Sequence, residues 1–297
     1  MIASSRLRGV FSAGAIAAVC FLGACLPAAS EPRGSAAPSA WLPETPSTLH
    51  LRFSDEFDTL KLRNGDQGVW QTTFGYGGVD NRTLTNNHEL QLYVDPGFTG
   101  DSGGAPLGLN PFVVNNGVLD IVADRTPDAI APMIGGYHYT SGLLTTHHVF
   151  SQTYGYFEIR AKLPEGKGLW PAFWLLPEDG SWPPEIDILE QLGREPNGFY
   201  ASIHAAGHID STTRVNVAST TDGFHKYGVL WDPEHITWFF DEQQMHQVDT
   251  PADMHKPMFI LVNLAIGGPW AQEPDATTVF PARMSVDYVR AYSLDPR

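Results

Sequence analysis

Cysteine and basic side chains are both scarce in this sequence. Its two cysteines are Cys20 and Cys25, so the rest of the chain can form neither a disulfide nor a zinc site built on cysteine. Lys and Arg number 18 against 33 Asp and Glu, which gives a net charge of −15. A surface this acidic repels phosphate groups, which argues against nucleic acid or an anionic membrane face as the main partner.

Helical spacing of apolar residues is also missing after residue 48. Short runs of β-branched and aromatic residues occur there instead, separated by clusters of Gly, Pro, Asn and Asp that are typical of turns. Strands that follow one another without helices pair antiparallel, and about 250 residues of this pattern suffice for a two-sheet sandwich. We therefore predict an all-β fold. The clearest predicted strands are residues 117–123, 154–161, 225–231, 236–240, 259–265 and 284–292.

The N-terminal residues differ in composition from the rest of the chain. Residues 1–24 join two arginines to an apolar stretch, as in an export signal peptide. The run Leu22-Gly23-Ala24-Cys25 is similar to a bacterial lipobox, which predicts lipidation at Cys25 and a place in the cell envelope. Plain secretion and an uncleaved anchor helix are the alternatives. Residues 25–48 are rich in Ala, Pro and Ser and predict a flexible linker before one domain over residues 49–297.

Three acidic residues alternate with large aliphatic residues in the stretch Glu185-Ile186-Asp187-Ile188-Leu189-Glu190. On a regular strand Glu185 and Asp187 share a face, whereas Glu190 points to the other one. A β-bulge with Leu189 as the extra residue returns Glu190 to the acidic face. We therefore expect three carboxylates along one face of a strand.

Neighbouring carboxylates repel one another, so this arrangement indicates a chemical task. Retaining glycoside hydrolysis needs such a group, because one carboxylate attacks the anomeric carbon while another protonates the leaving oxygen. In this interpretation Asp187 hydrogen-bonds to Glu185, and nearby negative charge raises the pKa of Glu190. A solvated strand face and a calcium site are the alternatives, although calcium loops usually carry Gly and Asn between their acids.

The acidic stretch resembles the Glu-x-Asp-x-x-Glu signature of glycoside hydrolase family 16, in the bulged form of its laminarinase-like branch. The resemblance extends over most of residues 49–297 and includes Phe53–Phe57, Gly155–Pro164, Gly168–Pro177 and Val286–Arg290. It implies a concanavalin-like β-jelly roll sandwich of two antiparallel sheets with a concave substrate cleft. It also implies retention of the anomeric configuration, with Glu185 as nucleophile, Glu190 as acid/base and Asp187 as their support.

Tryptophans are the aromatic candidates for substrate contacts, because an indole covers the flat C–H face of a sugar while its N–H reaches a hydroxyl. The candidates are Trp170, Trp174, Trp182 and Trp270. The resemblance implies that Trp170 and Trp174 border the cleft. Each of the four could equally fill the core of a sandwich.

The resemblance implies roles for four polar residues as well. Glu158 and Arg160 share a strand face and match positions that hold sugar hydroxyls, with a surface ion pair as the alternative. His204 lies on the strand expected beside the catalytic one, where it would tune Glu190 or serve a structural role. Asn87 matches a polar residue on the non-reducing side of the cleft.

Calcium is a further expectation from the resemblance, since members of the family often bind one calcium ion on the convex side. The site would use Asp287 and backbone oxygens near Glu56 and Gly117, and it would stabilise the fold without taking part in the reaction. Catalysis itself is expected to need no cofactor.

The substrate implied by the resemblance is a β-1,3-glucan or a mixed β-1,3/1,4-glucan, cleaved by a monomeric endo-acting enzyme. The stretches Asn86–Tyr93 and Leu109–Phe112 are similar to those of proteobacterial endoglycanases that trim secreted exopolysaccharide. An endoglycanase of a succinoglycan-like exopolysaccharide is therefore one alternative. A transglycosylase and a non-catalytic glycan-binding jelly roll are the others.

Overall fold

The computed structural model describes residues 49–75, 77–207 and 209–294. The predicted signal peptide (1–24), the predicted linker (25–48) and the lipidation predicted at Cys25 lie outside these residues. The described helical elements are short, and none has the length and hydropathy of a membrane span. They are 3₁₀ turns over Gly78–Asn81, Thr85–Asn87 and Ala131–Ile134 and one short helix, α1 (Gly268–Ala271).

Most regular structure in the described residues is β-strand. In chain order the strands are β1 (Leu49–Asp55), β2 (Gln91–Tyr93), β3 (Phe112–Asn115), β4 (Val118–Arg125), β5 (Tyr139–Ser141), β6 (Leu143–Thr145), β7 (Ser151–Gln152), β8 (Gly155–Lys162), β9 (Leu169–Pro177), β10 (Glu185–Glu190), β11 (Gly198–Ala205), β12 (Ile209–Asn216), β13 (His225–Trp231), β14 (His235–Phe240), β15 (Gln243–Asp249), β16 (Met258–Ile266) and β17 (Ala282–Leu294).

These strands form two sheets. The larger sheet follows the order β15-β14-β13-β8-β17-β4-β5-β2, with β1 added to β17 and β3 to β4. The smaller sheet follows the order β12-β11-β10-β9-β16-β6, with β7 added to β16. Pairing is antiparallel throughout the smaller sheet as described, and β2 runs parallel to β5 in the larger one. The jelly-roll sandwich predicted from the sequence is confirmed.

The main core lies between the sheets because each strand directs alternate residues inward. In β8 the inward residues are Phe157, Ile159 and Ala161, and β9 supplies Phe173 and Leu175 from the opposite sheet. All five are buried. Burying one large aliphatic or aromatic side chain of this kind stabilises the fold by about 1.5–3 kcal/mol.

The outer face of the smaller sheet is partly covered by the segment between β1 and β3. Phe74 and Tyr93 from this segment pack against the outward residues Phe259 and Leu261 of β16. This second cluster explains why β16 is buried along both faces and reads as a continuous apolar run. Beyond the cover, the same sheet face remains open and forms the floor of a cleft.

A hydrogen bond joins the two sheets at the middle of β10. The indole N–H of Trp238, in β14 of the larger sheet, donates to the backbone carbonyl of Asp187 over 2.8 Å. Trp238 is buried, and the bond satisfies a carbonyl at the point where the pairing of β10 changes register. The larger sheet thereby holds β10 in position.

Replacing Trp238 with Phe should lower the free energy of unfolding by about 1–3 kcal/mol, because the Asp187 carbonyl loses its buried partner. The same replacement at Trp231, which is also buried but whose indole N–H has no hydrogen-bond partner among the described residues, breaks no such bond and should cost less by that amount. Urea unfolding of both variants measures the difference. Equal losses of unfolding free energy in the two variants would show that the hydrogen bond between the sheets does not contribute to stability.

Candidate active site

The acidic face of β10 is produced by a β-bulge. Asp187 pairs with Trp174 of β9 and Leu189 pairs with Phe173, so Ile188 is the residue without an opposite partner on that side. We expected Leu189 to be the extra residue, and this expectation is wrong by one position. Both Ile188 and Leu189 point into the core. The chain therefore buries two consecutive aliphatic residues, and Glu190 returns to the acidic face.

The carboxylates lie on the floor of a cleft of about 900 Å³. The cleft crosses β12, β11, β10, β9 and β16, and its wall is completed by the segment between β1 and β2 and by α1. Its volume is at the upper end of the usual range for ligand sites. The residues lining it include most of those predicted from the sequence: Asn87, Trp170, Trp174, Trp182, Glu185, Asp187, Glu190, His204 and Trp270.

Glu185 and Asp187 form a coupled pair at one end of the acidic row. Asp187 is 1% exposed, and burial, followed by the charge of Glu185, raises its pKa well above the usual range. Burial also raises the pKa of Glu185, but hydrogen bonds from Trp182 and Asp187 work against this rise. The Trp182 indole donates to Glu185 over 2.6 Å. Asp187 is therefore the proton-bearing partner, and Glu185 is the carboxylate that stays ionised.

Glu190 lies at the other end of the row and favours the protonated form. Burial raises its pKa well above the usual range, and the acidic neighbours Asp187 and Glu185 raise it further. The indole N–H of Trp170 donates to Glu190 over 3.0 Å and partly opposes this rise. One strand face thus carries an ionised carboxylate and a protonated carboxyl group, each held by a different tryptophan.

His204 lies nearer to the Glu185 end of the row than to Glu190. It pairs with Glu185 across β10 and β11, and its Nε2 is 3.4 Å from a carboxylate oxygen of Asp187. Its Nδ1 is 3.0 Å from Asp210. The expected influence on Glu190 is the smallest among the causes that act on the pKa of that group. The main contact of His204 in the cleft is therefore with Asp187.

The four predicted tryptophans take three different positions. Trp170 and Trp270 meet edge to face, with ring centroids 5.2 Å apart, and they line the Glu190 end of the cleft. Trp182 is exposed at the Glu185 end. Trp174 lines the floor but is buried, and its indole N–H donates to the side chain of Asn263 over 2.7 Å. Trp174 therefore belongs partly to the packed layer under the cleft.

Glu158 and Arg160 lie on the larger sheet and do not line the cleft. Their neighbours in β8 point into the core, so both face the opposite side of the sandwich. Glu158 is buried and accepts hydrogen bonds from two tyrosine hydroxyls, over 2.8 and 2.7 Å. Arg160 donates to Asp287 over 2.8 Å. The predicted sugar contacts of both residues are wrong, because a strand pattern shows which residues share a face but not which sheet the strand joins.

The residues expected to hold calcium meet at one place on the larger sheet. Asp287 lies between the part of β17 that pairs with β4, ending at Val286, and the part that pairs with β1, starting at Val289. Glu56 directly follows β1, and Gly117 directly precedes β4. The Glu56 carboxylate accepts hydrogen bonds from Nε and Nη2 of Arg290, over 2.9 and 2.8 Å. A calcium site here would depend on Asp287 and backbone carbonyls, and one oxygen of Asp287 already accepts a hydrogen bond from Arg160 over 2.8 Å. Calcium binding stays a prediction.

Sequence reasoning did not identify Glu89 as a functional residue. Glu89 lines the cleft but is buried, and its carboxylate accepts hydrogen bonds from the Leu84 amide over 3.1 Å and from Gln91 over 2.6 Å. Burial raises its pKa to about 7. The polar run Asn86–Tyr93 was a signal in the sequence, but the burial of its glutamate was not readable there.

The geometry defines a site for acid–base chemistry on a sugar. An ionised carboxylate and a protonated carboxyl group face the same open cleft, and indole rings flank both. Hydrolysis of a glycosidic bond requires these two carboxyl groups. Residues 108–290 match the family model described as glycosyl hydrolases family 16. The chain belongs to this family.

Individual relatives and solved structures agree with this assignment. The chain is 48% identical to an endo-1,3-1,4-beta-glycanase, ExsH, of Rhizobium meliloti over 84% of its own length and 53% of that relative's. The chain therefore spans about half the length of this relative and of EglC, a second endo-1,3-1,4-beta-glycanase of the same organism. A beta-glucanase of Rhodothermus marinus is 34% identical, over 82% of this chain and 84% of that protein. The endo-beta-1,3-glucanase of Pyrococcus furiosus superposes with a TM-score of 0.69, at 33% identity, covering 84% of this chain and 97% of that one.

Replacing Glu89 with Gln should remove a pH-dependent loss of stability. Because the pKa of Glu89 is raised in the folded state, the folded protein binds more protons than the unfolded chain between about pH 4.3 and about pH 7. Its stability relative to the Gln variant should therefore fall by about 3 kcal/mol as the pH rises through this window. Urea unfolding of both proteins at pH 4.5 and pH 8 measures the change. If the difference in unfolding free energy between the two proteins were the same at both pH values, the raised pKa of Glu89 would be contradicted.

Proposed function

We propose that this protein is an endo-acting β-glucanase that cleaves β-1,3- or mixed β-1,3/1,4-glucan with retention of configuration. The structural observation that carries the proposal is the row of carboxyl groups on one face of β10, in which Trp182 donates to Glu185 and Trp170 donates to Glu190. Glu185 accepts hydrogen bonds from the proton-bearing Asp187 and from the indole N–H of Trp182. Glu190 is the buried group whose neighbours favour its acid form. Retaining hydrolysis needs an ionised carboxylate and a protonated carboxyl group in the same site.

In the first step Glu190 donates its proton to the glycosidic oxygen while a carboxylate oxygen of Glu185 attacks the anomeric carbon. The bond to the leaving sugar breaks, and a covalent bond to Glu185 forms. Asp187 bears the proton that it shares with Glu185, so its hydrogen bond orients the attacking carboxylate. Formation of this bond neutralises Glu185. The pKa of Glu190 then falls, because the negative charge of Glu185 had raised it.

In the second step Glu190 acts as the base. It now lacks its proton and removes one from a water molecule, whose oxygen attacks the anomeric carbon of the covalent intermediate. The bond to Glu185 breaks, and Glu190 regains its proton for the next cycle. Two displacements at the same carbon leave the configuration unchanged. The indole N–H of Trp170, 3.0 Å from Glu190, would stabilise the ionised form that acts as the base.

The lining of the cleft favours a neutral glycan. Among the described residues that line it there is no Lys or Arg, whereas the three acids of β10 are joined by Asp80 and Glu89. An acidic substituent within the cleft would face negative charge without a cationic partner. The names of the relatives give the linkages, endo-1,3-1,4-beta-glycanase and endo-beta-1,3-glucanase, and the second one also names a glucan. A succinoglycan-like polymer would have to keep its acidic groups outside the cleft.

The remaining expectations become part of the proposal. The enzyme would be an exported monomer, carrying a lipid at Cys25 or released by secretion. A calcium ion held by Asp287 and by the backbone carbonyls of Glu56 and Gly117 would add stability and would supply no step of the reaction.

Glu185→Gln and Glu190→Gln should each reduce hydrolysis of laminarin and mixed-linkage β-glucan by at least about 10²–10⁴-fold, because each variant loses one of the two required carboxyl groups. Glu165→Gln, the same change at an exposed position, is the matched control and should keep full activity. Product analysis by chromatography, with agarose and a succinoglycan-like polysaccharide as further substrates, measures both rate and specificity.

The same panel separates the alternatives. Cleavage of the exopolysaccharide without cleavage of the two glucans would keep the mechanism but replace the substrate. Products longer than the substrate would indicate transglycosylation. Normal turnover in either Gln variant would refute the catalytic roles, and binding without any cleavage would favour a glycan-binding protein.

Replacing Trp170 with Phe should move the basic limb of the pH dependence of kcat/KM upward by about one pH unit. The variant keeps an aromatic ring but loses the N–H that stabilises ionised Glu190, so the pKa of Glu190 rises and its acid form persists to higher pH. Initial rates between pH 4 and pH 10 on soluble mixed-linkage glucan measure this shift.

Trp182→Phe is the matched control for this experiment. It removes the N–H that stabilises ionised Glu185, so the acidic limb should move upward while the basic limb stays in place. Movement of the same limb in both variants would contradict the assignment of Glu185 and Glu190 to separate roles.

A further inference from the structure

A second cluster of titratable side chains lies outside the cleft, where β6 and β9 end. His147 and His148 follow β6 after one intervening residue, and Glu178 directly follows β9. One potential ligand atom from each of these side chains lies within 4.8 Å of the other two. None of the three lines the cleft, and none takes part in the proposed reaction.

The contacts within this cluster hold the three side chains together. The imidazole rings of His147 and His148 stack, with centroids 3.7 Å apart. Glu178 accepts a hydrogen bond from the backbone amide of His148 over 3.1 Å, and the same oxygen is 3.0 Å from Nδ1 of His148. The backbone at His148 has a φ of 59°, in the left-handed region that costs energy for residues other than glycine.

Two atoms of the cluster are buried without a hydrogen-bond partner among the described residues. They are Nε2 of His147 and Oε2 of Glu178. A buried nitrogen or oxygen that lacks a partner costs about 1–3 kcal/mol, and a bound ion or an ordered water molecule is the usual explanation for such an atom. Burial, followed by the neighbouring His148, lowers the pKa of His147. The neutral ring keeps a lone pair available at physiological pH.

We propose that His147, His148 and Glu178 bind one divalent transition-metal ion of the Zn²⁺ class. Imidazole nitrogens suit zinc, nickel and copper, whereas calcium and magnesium prefer an all-oxygen set. Two histidines and one carboxylate are a common set of protein ligands for zinc, with a water molecule completing the coordination. This site is separate from the calcium position expected at Asp287, which lies on the larger sheet.

Two other groups of potential metal ligands occur among the described residues, and neither is as good a candidate for a zinc site. The group of Glu185, Asp187 and His204 belongs to the cleft. In the group of Asp232, Glu234 and His235, an Asp232 oxygen accepts hydrogen bonds from the backbone amides of the other two residues, over 2.7 and 2.8 Å. The Asp232 carboxylate therefore closes a turn, and this group contributes none of the buried side-chain atoms without a hydrogen-bond partner.

The ion would stabilise one end of the cleft wall. His147 stacks on Phe259 with centroids 4.3 Å apart, and Phe259 belongs to the packed layer that includes Phe74 and Trp174. Coordination would join the chain after β6 to the chain after β9, next to this layer. Since the ion binds the folded protein, it should raise the unfolding temperature.

Calorimetric titration with ZnCl₂ tests the proposal. The full chain is used without an affinity tag, with Cys20 and Cys25 replaced by Ser so that no thiolate binds the ion, and after removal of metals with EDTA. We expect one equivalent of Zn²⁺ to bind and to raise the unfolding temperature, with no comparable effect of Mg²⁺. His147→Gln and Glu178→Gln, in the same background, should each weaken binding at least tenfold.

His235→Gln and Glu185→Gln are the matched controls, because each removes one ligand from another group of this kind. Both should bind Zn²⁺ with unchanged affinity. Circular dichroism shows whether each variant is folded. If His147→Gln does not fold, Glu178→Gln alone tests the site. Absence of stoichiometric binding, or loss of binding in a control instead of in Glu178→Gln, would overturn the proposal. Because Zn²⁺ affinity is measured without substrate, the result is independent of the glucanase assignment.

Discussion

The bulge in β10 is the constraint on which the active site depends. A regular strand would direct Glu190 into the apolar core, where an unpaired carboxyl group is costly. The extra residue, Ile188, lets the chain bury its aliphatic side chains while Glu190 returns to the face of Glu185 and Asp187. The distortion leaves the Asp187 carbonyl to be satisfied by Trp238 of the opposite sheet. The packing of the sandwich therefore maintains the geometry of the catalytic strand.

Burial and mutual charge then distinguish three chemically similar groups. The same low-dielectric surroundings raise all three pKa values, and the local donors decide which group stays ionised. Trp182 and Asp187 stabilise the charge on Glu185, whereas Glu190 faces two acidic neighbours and receives one indole N–H. The site thus obtains an attacking carboxylate and a proton donor from one short stretch of chain. The aromatic residues that line the cleft also take part in this electrostatic arrangement.

Strand positions were predictable because alternation of side chains is a local property. The run 225–231 coincides with β13, and the run 259–265 lies within β16. The same local pattern could not show that Glu158 and Arg160 belong to the larger sheet, away from the cleft. Sheet membership is decided by pairing between distant parts of the chain. Position within a bulge was also uncertain by one residue, since Ile188 and Leu189 are equally apolar and both are buried.

The sequence by itself determined the two-residue period of the strands, the acidic stretch of β10 and the aromatic residues near it, because these depend on neighbours along the chain. Only the tertiary structure decided the burial of Glu89, the contact of His204 with Asp187 and the meeting of His147 and His148 with Glu178. Each of these requires segments far apart in sequence to pack together. Burial and long-range pairing determine solvation and charge, and these quantities set the chemistry of the side chains.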